Sequence, residues 1–182
     1  GTRDVAVIQQ ELGQALHAVG RIDDAIEALR KALHLNPALA ASWRLLGQSL
    51  HSEGEAKEAD HAFRQALAHS HPHPAIVKAV DLVQQERYGM AEGICRDYLI
   101  RNPEDVTVIR LLAEIGIKLG IKGDPEILLE DCLRIAPDFH LARNTYANAL
   151  SEAQKYSQAL VEIDYLEKAE PQNFSHSILA AS

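Results

Sequence analysis

The chain has 182 residues, 24% of them charged and 47% apolar when tyrosine and cysteine are counted, which is the balance of a folding chain and excludes a disordered one. Eighteen basic against twenty-six acidic side chains leave a net charge of −8, the wrong sign for gripping a phosphate backbone, so no nucleic-acid partner is expected. No apolar run is long enough to span a membrane and no signal-peptide pattern opens the chain, so no membrane partner is expected; two cysteines are too few for a disulfide framework and point to a reducing compartment, the cytoplasm.

Prolines set a period. Pro103, Pro137 and Pro171 stand 34 residues apart, and Pro37 lies 66 residues before Pro103, two short of two periods. The shortfall belongs in the stretch from His69 to Pro74. Other residues fall into line on the same ruler. Repeat one carries Leu12, Gly13, Leu16, Ala25, Leu29, Ala32 and Pro37. Repeat two carries Trp43, Leu46, Gly47, Leu50, Ala59, Phe63 and Ala66. Repeat three has Ala79, Leu82, Ala91, Cys95, Tyr98 and Pro103; repeat four has Ile109, Leu112, Ala113, Leu129, Cys132 and Pro137. Repeat five has Tyr146, Ala147, Leu150, Ala159, Ile163, Leu166 and Pro171.

Within each repeat the apolar residues recur at steps of three and four, which puts them on one stripe of an α-helix. Gly20 and Gly54 suit the left-handed residue that ends a helix, and the carboxylates that follow suit the positive end of the next one. The prolines stop a second helix or open the following repeat. Ten helices are predicted, over residues 3–18, 22–34, 39–52, 56–69, 74–86, 89–100, 105–119, 125–135, 139–153 and 156–169. They group as units of about 6–39, 40–71, 72–105, 106–139 and 140–173, in one array covering residues 1–182. No helical pair can bury its stripe alone, so neighbours must stack.

Trp43-x2-Leu46-Gly47-x2-Leu50 followed by Ala59-x3-Phe63 resembles the tetratricopeptide repeat, with Leu50 where that family places tyrosine. The resemblance runs in phase through five repeats. It implies an all-α fold, a right-handed α-α superhelix of about five helix-turn-helix repeats, with residues 174–182 as a truncated sixth first helix. That ending predicts a fragment of a longer protein, and the exposed sixth helix offers a contact for a homodimer.

Three places depart from the pattern. Repeat three has Lys78 where the others have Leu12, Leu46, Leu112 or Tyr146. Repeat four has Gly116 in place of a large apolar residue and Pro125 in place of the small alanine, both read as drift. Asp124-Pro125 looks like a capping residue followed by proline in the first turn.

No catalytic residue is expected. His69, His71 and His73 sit in a proline-held extended turn, which disfavours the convergence a metal needs. Cys95 and Cys132 occupy packing positions, one per repeat. Gly116, Gly120 and Gly123 lack the lysine and the preceding strand of a phosphate loop. Glu27 with Lys31, and Glu130 with Arg134, are spaced as exposed helix pairs. No metal and no cofactor is expected.

In the resembling family the first helices line a groove that receives a peptide or a partner's helix. Carried over position by position, that face is Gln10, Gln14 and His17, then Arg44, Gln48 and His51. It continues as His73, Ile76 and Val80, then Arg110, Glu114 and Lys118, then Asn144 and Asn148. Gln14 and Gln48, like His17 and His51, are one period apart and would build a ladder of similar groups. Such a face suits an extended segment bearing carboxylates. Val7 and Glu11 occupy the places where some members carry a carboxylate clamp, so a chaperone-tail site is not expected. The expected function is a protein-interaction scaffold. The alternative is the noncatalytic front of a sulfotransferase, because stretches such as 91–106 and 136–143 are similar to repeats that precede that domain in bacterial proteins; its phosphate-gripping loop would lie downstream.

Overall fold

A computed structural model describes residues 1–70 and 73–169. The described residues form ten α-helices and no strand. They run α1 (Thr2–Ala18), α2 (Ile22–Leu35), α3 (Ala40–Ser52), α4 (Ala56–Ser70), α5 (Pro74–Gln84), α6 (Tyr88–Arg101), α7 (Val106–Lys118), α8 (Asp124–Ile135), α9 (His140–Glu152) and α10 (Tyr156–Ala169). Every boundary lies within two residues of the expected one. The proposed sixth first helix, 174–182, falls outside the described residues, as do His71 and Pro72.

The helices divide between two compact bodies, the chain passing from one to the other between residues 72 and 73, inside the stretch where the proline period runs short. The first body holds α1 to α4. Its helices pair because α2 turns Ala25, Ala28, Leu29 and Ala32 inward, while Asp23 and Asp24 complement the dipole of its first turn. Ile26, Leu29, Leu33, Leu46 and Leu50 form one buried cluster, with Trp43 and Phe63 packed against it. Close approach depends on two glycines. A Cβ on Gly13 would stand 2.7 Å from Leu29 Cγ, and one on Gly47 would stand 2.7 Å from Phe63 Cε1.

The second body holds α5 to α10 and has its own cluster, in which Ile109, Ala113, Leu129, Cys132 and Ala142 are buried. Asp105 caps α7 by accepting from the backbone N–H groups of Thr107 and Val108 at 3.2 and 3.3 Å. Here the two departures of repeat four prove to be a single feature. Gly116 on α7 faces Pro125 on α8, and a Cβ at Gly116 would lie 3.0 Å from the proline Cγ. Loss of the side chain on one helix makes room for the ring on the other.

All five hairpins turn in the same way. A residue with positive φ follows each first helix: Gly20 (78°), Gly54 (79°), Glu86 (58°), Gly120 (69°) and Gln154 (61°). The next residue then donates back across the turn, as in Arg21 N to Leu16 O at 2.9 Å and Arg87 N to Leu82 O at 2.8 Å, the Schellman closure. Three of these residues are glycine. Glu86 and Gln154 adopt the left-handed region with a Cβ, which costs about 1–2 kcal/mol; glycine recovers part of that after its own entropy loss. Glu86→Gly is therefore expected to stabilise the second body by about 0.5–1 kcal/mol, read as a higher urea midpoint with an unchanged slope.

Candidate first-helix interface

In the first body the first helices α1 and α3 lie side by side, joined by polar side chains. Ser42 Oγ donates to Gln10 Oε1 at 2.9 Å, and His17 Nδ1 lies 3.0 Å from Ser49 Oγ. Both serines are fully buried. Each member of the pair sits two helical turns from the next, so the two bonds fix spacing and register together. The tie runs at an offset of 32 residues, not along the expected ladder at 34. Ser42 and Ser49 were not anticipated as part of this face; their signal is a small hydroxyl repeated every seven residues on a helix that must approach another closely.

Around this seam Gln14 and Arg44 are exposed, while Gln48 and His51 are half-buried. Of the six positions expected on α1 and α3, the seam joins Gln10 and His17; Arg44 and His51 stand about half a turn, and Gln48 about a third of a turn, around α3 from the seam serines. The Arg44 guanidinium and the Gln14 amide are exposed donors to which carboxylates and backbone carbonyls can bind.

The second body corrects the remaining expectations. Ile76 and Val80 are buried in it, so they offer no surface to a ligand; their apolar character belongs to packing. His73 is the N-cap of α5: its Nδ1 accepts from Ala75 N at 3.2 Å, and its ring meets that of Tyr98 edge-on at 5.0 Å. Arg110 and Glu114 are also buried, and Arg110 Nη1 donates to Glu114 Oε2 at 3.2 Å. Residues 108–116 of α7 are buried without a break, as a helix that is apolar nearly all round should be. Of the expected positions, His73, Lys118 and Asn148 are exposed, and Asn144 is half-buried.

Other pairs split the same way. Glu27 and Lys31 form the expected exposed pair at 2.6 Å. Arg134 instead pairs with Asp131 at 3.2 Å, and Glu130 accepts from Tyr146 Oη at 2.7 Å. Burial and that carboxylate push the Tyr146 phenol well above its usual range.

The two cysteines are free and buried. Burial pushes the Cys95 thiol up to about 12. Cys132 rises to about 11, again through burial, with the nearby Arg110 charge opposing the shift. The thiolate is the nucleophile, so neither group should react in the folded chain. At pH 8 both thiols are expected to stay silent toward a disulfide reagent until urea unfolds the second body, when both should label. Rapid labelling of the native chain would contradict the burial.

Comparison with known proteins agrees with this geometry. Residues 13–54 match the family described as TPR repeat. No curated protein matches the chain. Among solved structures, MamA from Desulfovibrio magneticus RS-1 (residues 41 to its end) is similar over 92% of this chain and 96% of its own, at 14% identity and a TM-score of 0.52. YrrB, described as a TPR protein with an unusual peptide-binding site, is similar over 91% of this chain and 87% of its own, at 18% identity and a TM-score of 0.50. At such identities the likeness is one of fold. Residues 13–54 thus match the TPR repeat family, and the described residues share an all-α fold of successive helical hairpins with these solved proteins.

Proposed function

We propose that the chain is a noncatalytic interaction module that binds an extended, acidic peptide or partner segment across α1 and α3, in the cytoplasm. One observation carries the reading: two hydrogen bonds between buried serines and Gln10 and His17 hold α1 and α3 in fixed register, while Gln14 on α1 and Arg44 on α3 remain exposed. A preset spacing lowers the ordering cost of binding. The fold supports the same reading, because helical-repeat arrays present extended surfaces to partners. No helix among the described residues is long and apolar enough to cross a membrane. A sulfotransferase domain downstream is a second reading that no observation in these helices favours.

The test begins with selection of binders from a random peptide library displayed against the chain. Acidic peptides should be enriched. In calorimetry, Arg44→Ala should then weaken a selected peptide about tenfold, the loss of one charge-assisted hydrogen bond at a partly wet site. Equal affinity for the Arg44→Ala chain, or selection of basic sequences, would overturn the proposal.

A further inference from the structure

A groove of about 580 Å³ opens on the first body where α2, α3 and α4 meet, within the range of about 300–1,000 Å³ usual for ligand sites. Its lining runs from Arg30 to Ala62, wholly inside that body. Leu33, Leu46, Leu50 and Ala62 give it a buried apolar floor. Trp43 forms a wall and is held in place. Its Nε1 donates to the Pro37 carbonyl at 2.8 Å, and the His61 ring meets it edge-on with centroids 5.8 Å apart.

The repeat register shows what the chain puts at the same place elsewhere. One hundred residues after Trp43 and Ala62, three periods less two, stand Arg143 and Glu162. Arg143 Nη2 donates to the Pro137 carbonyl at 2.9 Å, as Trp43 does to that of Pro37, and Nη1 pairs with Glu162. In α9 and α10 the chain thus supplies both a cation and its carboxylate. The first body keeps only a cation, and from another position: Lys57 lines the groove where α10 has Ser157. Arg30 and Glu58 satisfy each other between α2 and α4 at 2.6 Å, a pair that recurs as Arg96 with Asp124 at 3.6 Å. Lys57 is exposed and forms no ion pair among the described residues. Beside the apolar floor stands a cation whose carboxylate the chain does not provide.

We propose that this groove binds a partner peptide through an aromatic side chain with a carboxylate on the neighbouring residue. The ring packs on the leucines and against the Trp43 indole, and aromatic pairs add to what burial alone contributes. The carboxylate meets the Lys57 ammonium in a charge-assisted contact. This is a second site, on α2 and α4 in place of α1, and it does not rest on the α1–α3 reading.

Trp43 is the one tryptophan of the chain, so its emission reports on the groove without a label. A peptide of Gly, Phe, Asp and Gly, blocked at both ends, should change that emission saturably, with calorimetry giving the same affinity. Replacing its Phe with Ala should weaken binding about tenfold or more, and replacing its Asp with Asn about fivefold. On the protein, Lys57→Met should also cost about fivefold, while Arg44→Ala should cost nothing. Ala62→Glu, which copies α10, should abolish binding. Because Ala62 is buried, the exposed Lys57→Met carries the test if that variant does not fold. No saturable change, equal binding of the Asn peptide, or a loss with Arg44→Ala in place of Lys57→Met would overturn the proposal. So would a response to free phenylpropionate with none to the peptide, which would mark a small-molecule site. A wild-type dimer that Lys57→Met dissolves would overturn it too, by showing that a second copy fills the groove.

Discussion

Replacing Glu114 with leucine is expected to cost the second body about 3–5 kcal/mol, because it leaves the Arg110 guanidinium buried without its carboxylate. The side chains of the pair are only 6% and 9% exposed, so water cannot take over the lost role. Removing both charges at once should behave differently. In Arg110→Met with Glu114→Leu no charge remains to be solvated, and apolar neighbours on α7 can pack against the new side chains. That double variant should match the parent or exceed it by about 1–4 kcal/mol. Urea unfolding of the full chain provides the measurement, with thiol labelling assigning the transition, since Cys95 and Cys132 both lie in the second body. A Glu114→Leu chain as stable as the parent would show that the pair is wet in solution. The same reasoning changes the meaning of Arg110→Ala: it reads out on stability, so a loss of binding in that variant says nothing about a ligand.

That pair also marks where the sequence stops being informative. Glu27 with Lys31 and Arg110 with Glu114 have the same four-residue spacing, and the first is exposed while the second is buried. Spacing places two groups on one side of a helix; it does not say what covers that side. The clue lay in the neighbours, since Val108, Ile109, Leu111, Leu112 and Ala113 leave α7 almost no polar flank. Helix positions were legible for a firmer reason. Apolar spacing, proline stops and the glycines at 20, 54 and 120 are local signals that repeat and so corroborate one another. Glu86 and Gln154 take the same left-handed turn without glycine, and nothing in their residue type announces it; only the register does. The proposed binding face was half legible. Gln10 and His17 stand at the α1–α3 seam, yet the serines that hold them were hidden as ordinary small residues. Ile76 and Val80 on α5 and Arg110 and Glu114 on α7, carried over from the family, turned out to be core, because burial depends on neighbours that a repeat motif does not describe.

Repeat four offers the second large effect, and it separates drift from compensation. If Gly116 and Pro125 were independent departures, restoring either to the usual residue type would be harmless or favourable. Contact between them predicts the opposite. Gly116→Leu alone should destabilise the second body by about 1–3 kcal/mol, because even its Cβ would press on the proline ring and the rest of the side chain has no space. Pro125→Ala alone should also lose stability, through a void beside Gly116 and the loss of a ring suited to the first helical turn. Together the two changes rebuild the leucine-over-alanine arrangement that Leu16 and Ala25 occupy in repeat one. The double variant should therefore be more stable than the sum of the single losses allows, by a coupling of about 1–2 kcal/mol. A double-mutant cycle in urea measures that coupling directly. Additive losses would mean that the helices shift independently to absorb each change, and the glycine and proline would revert to being unrelated substitutions.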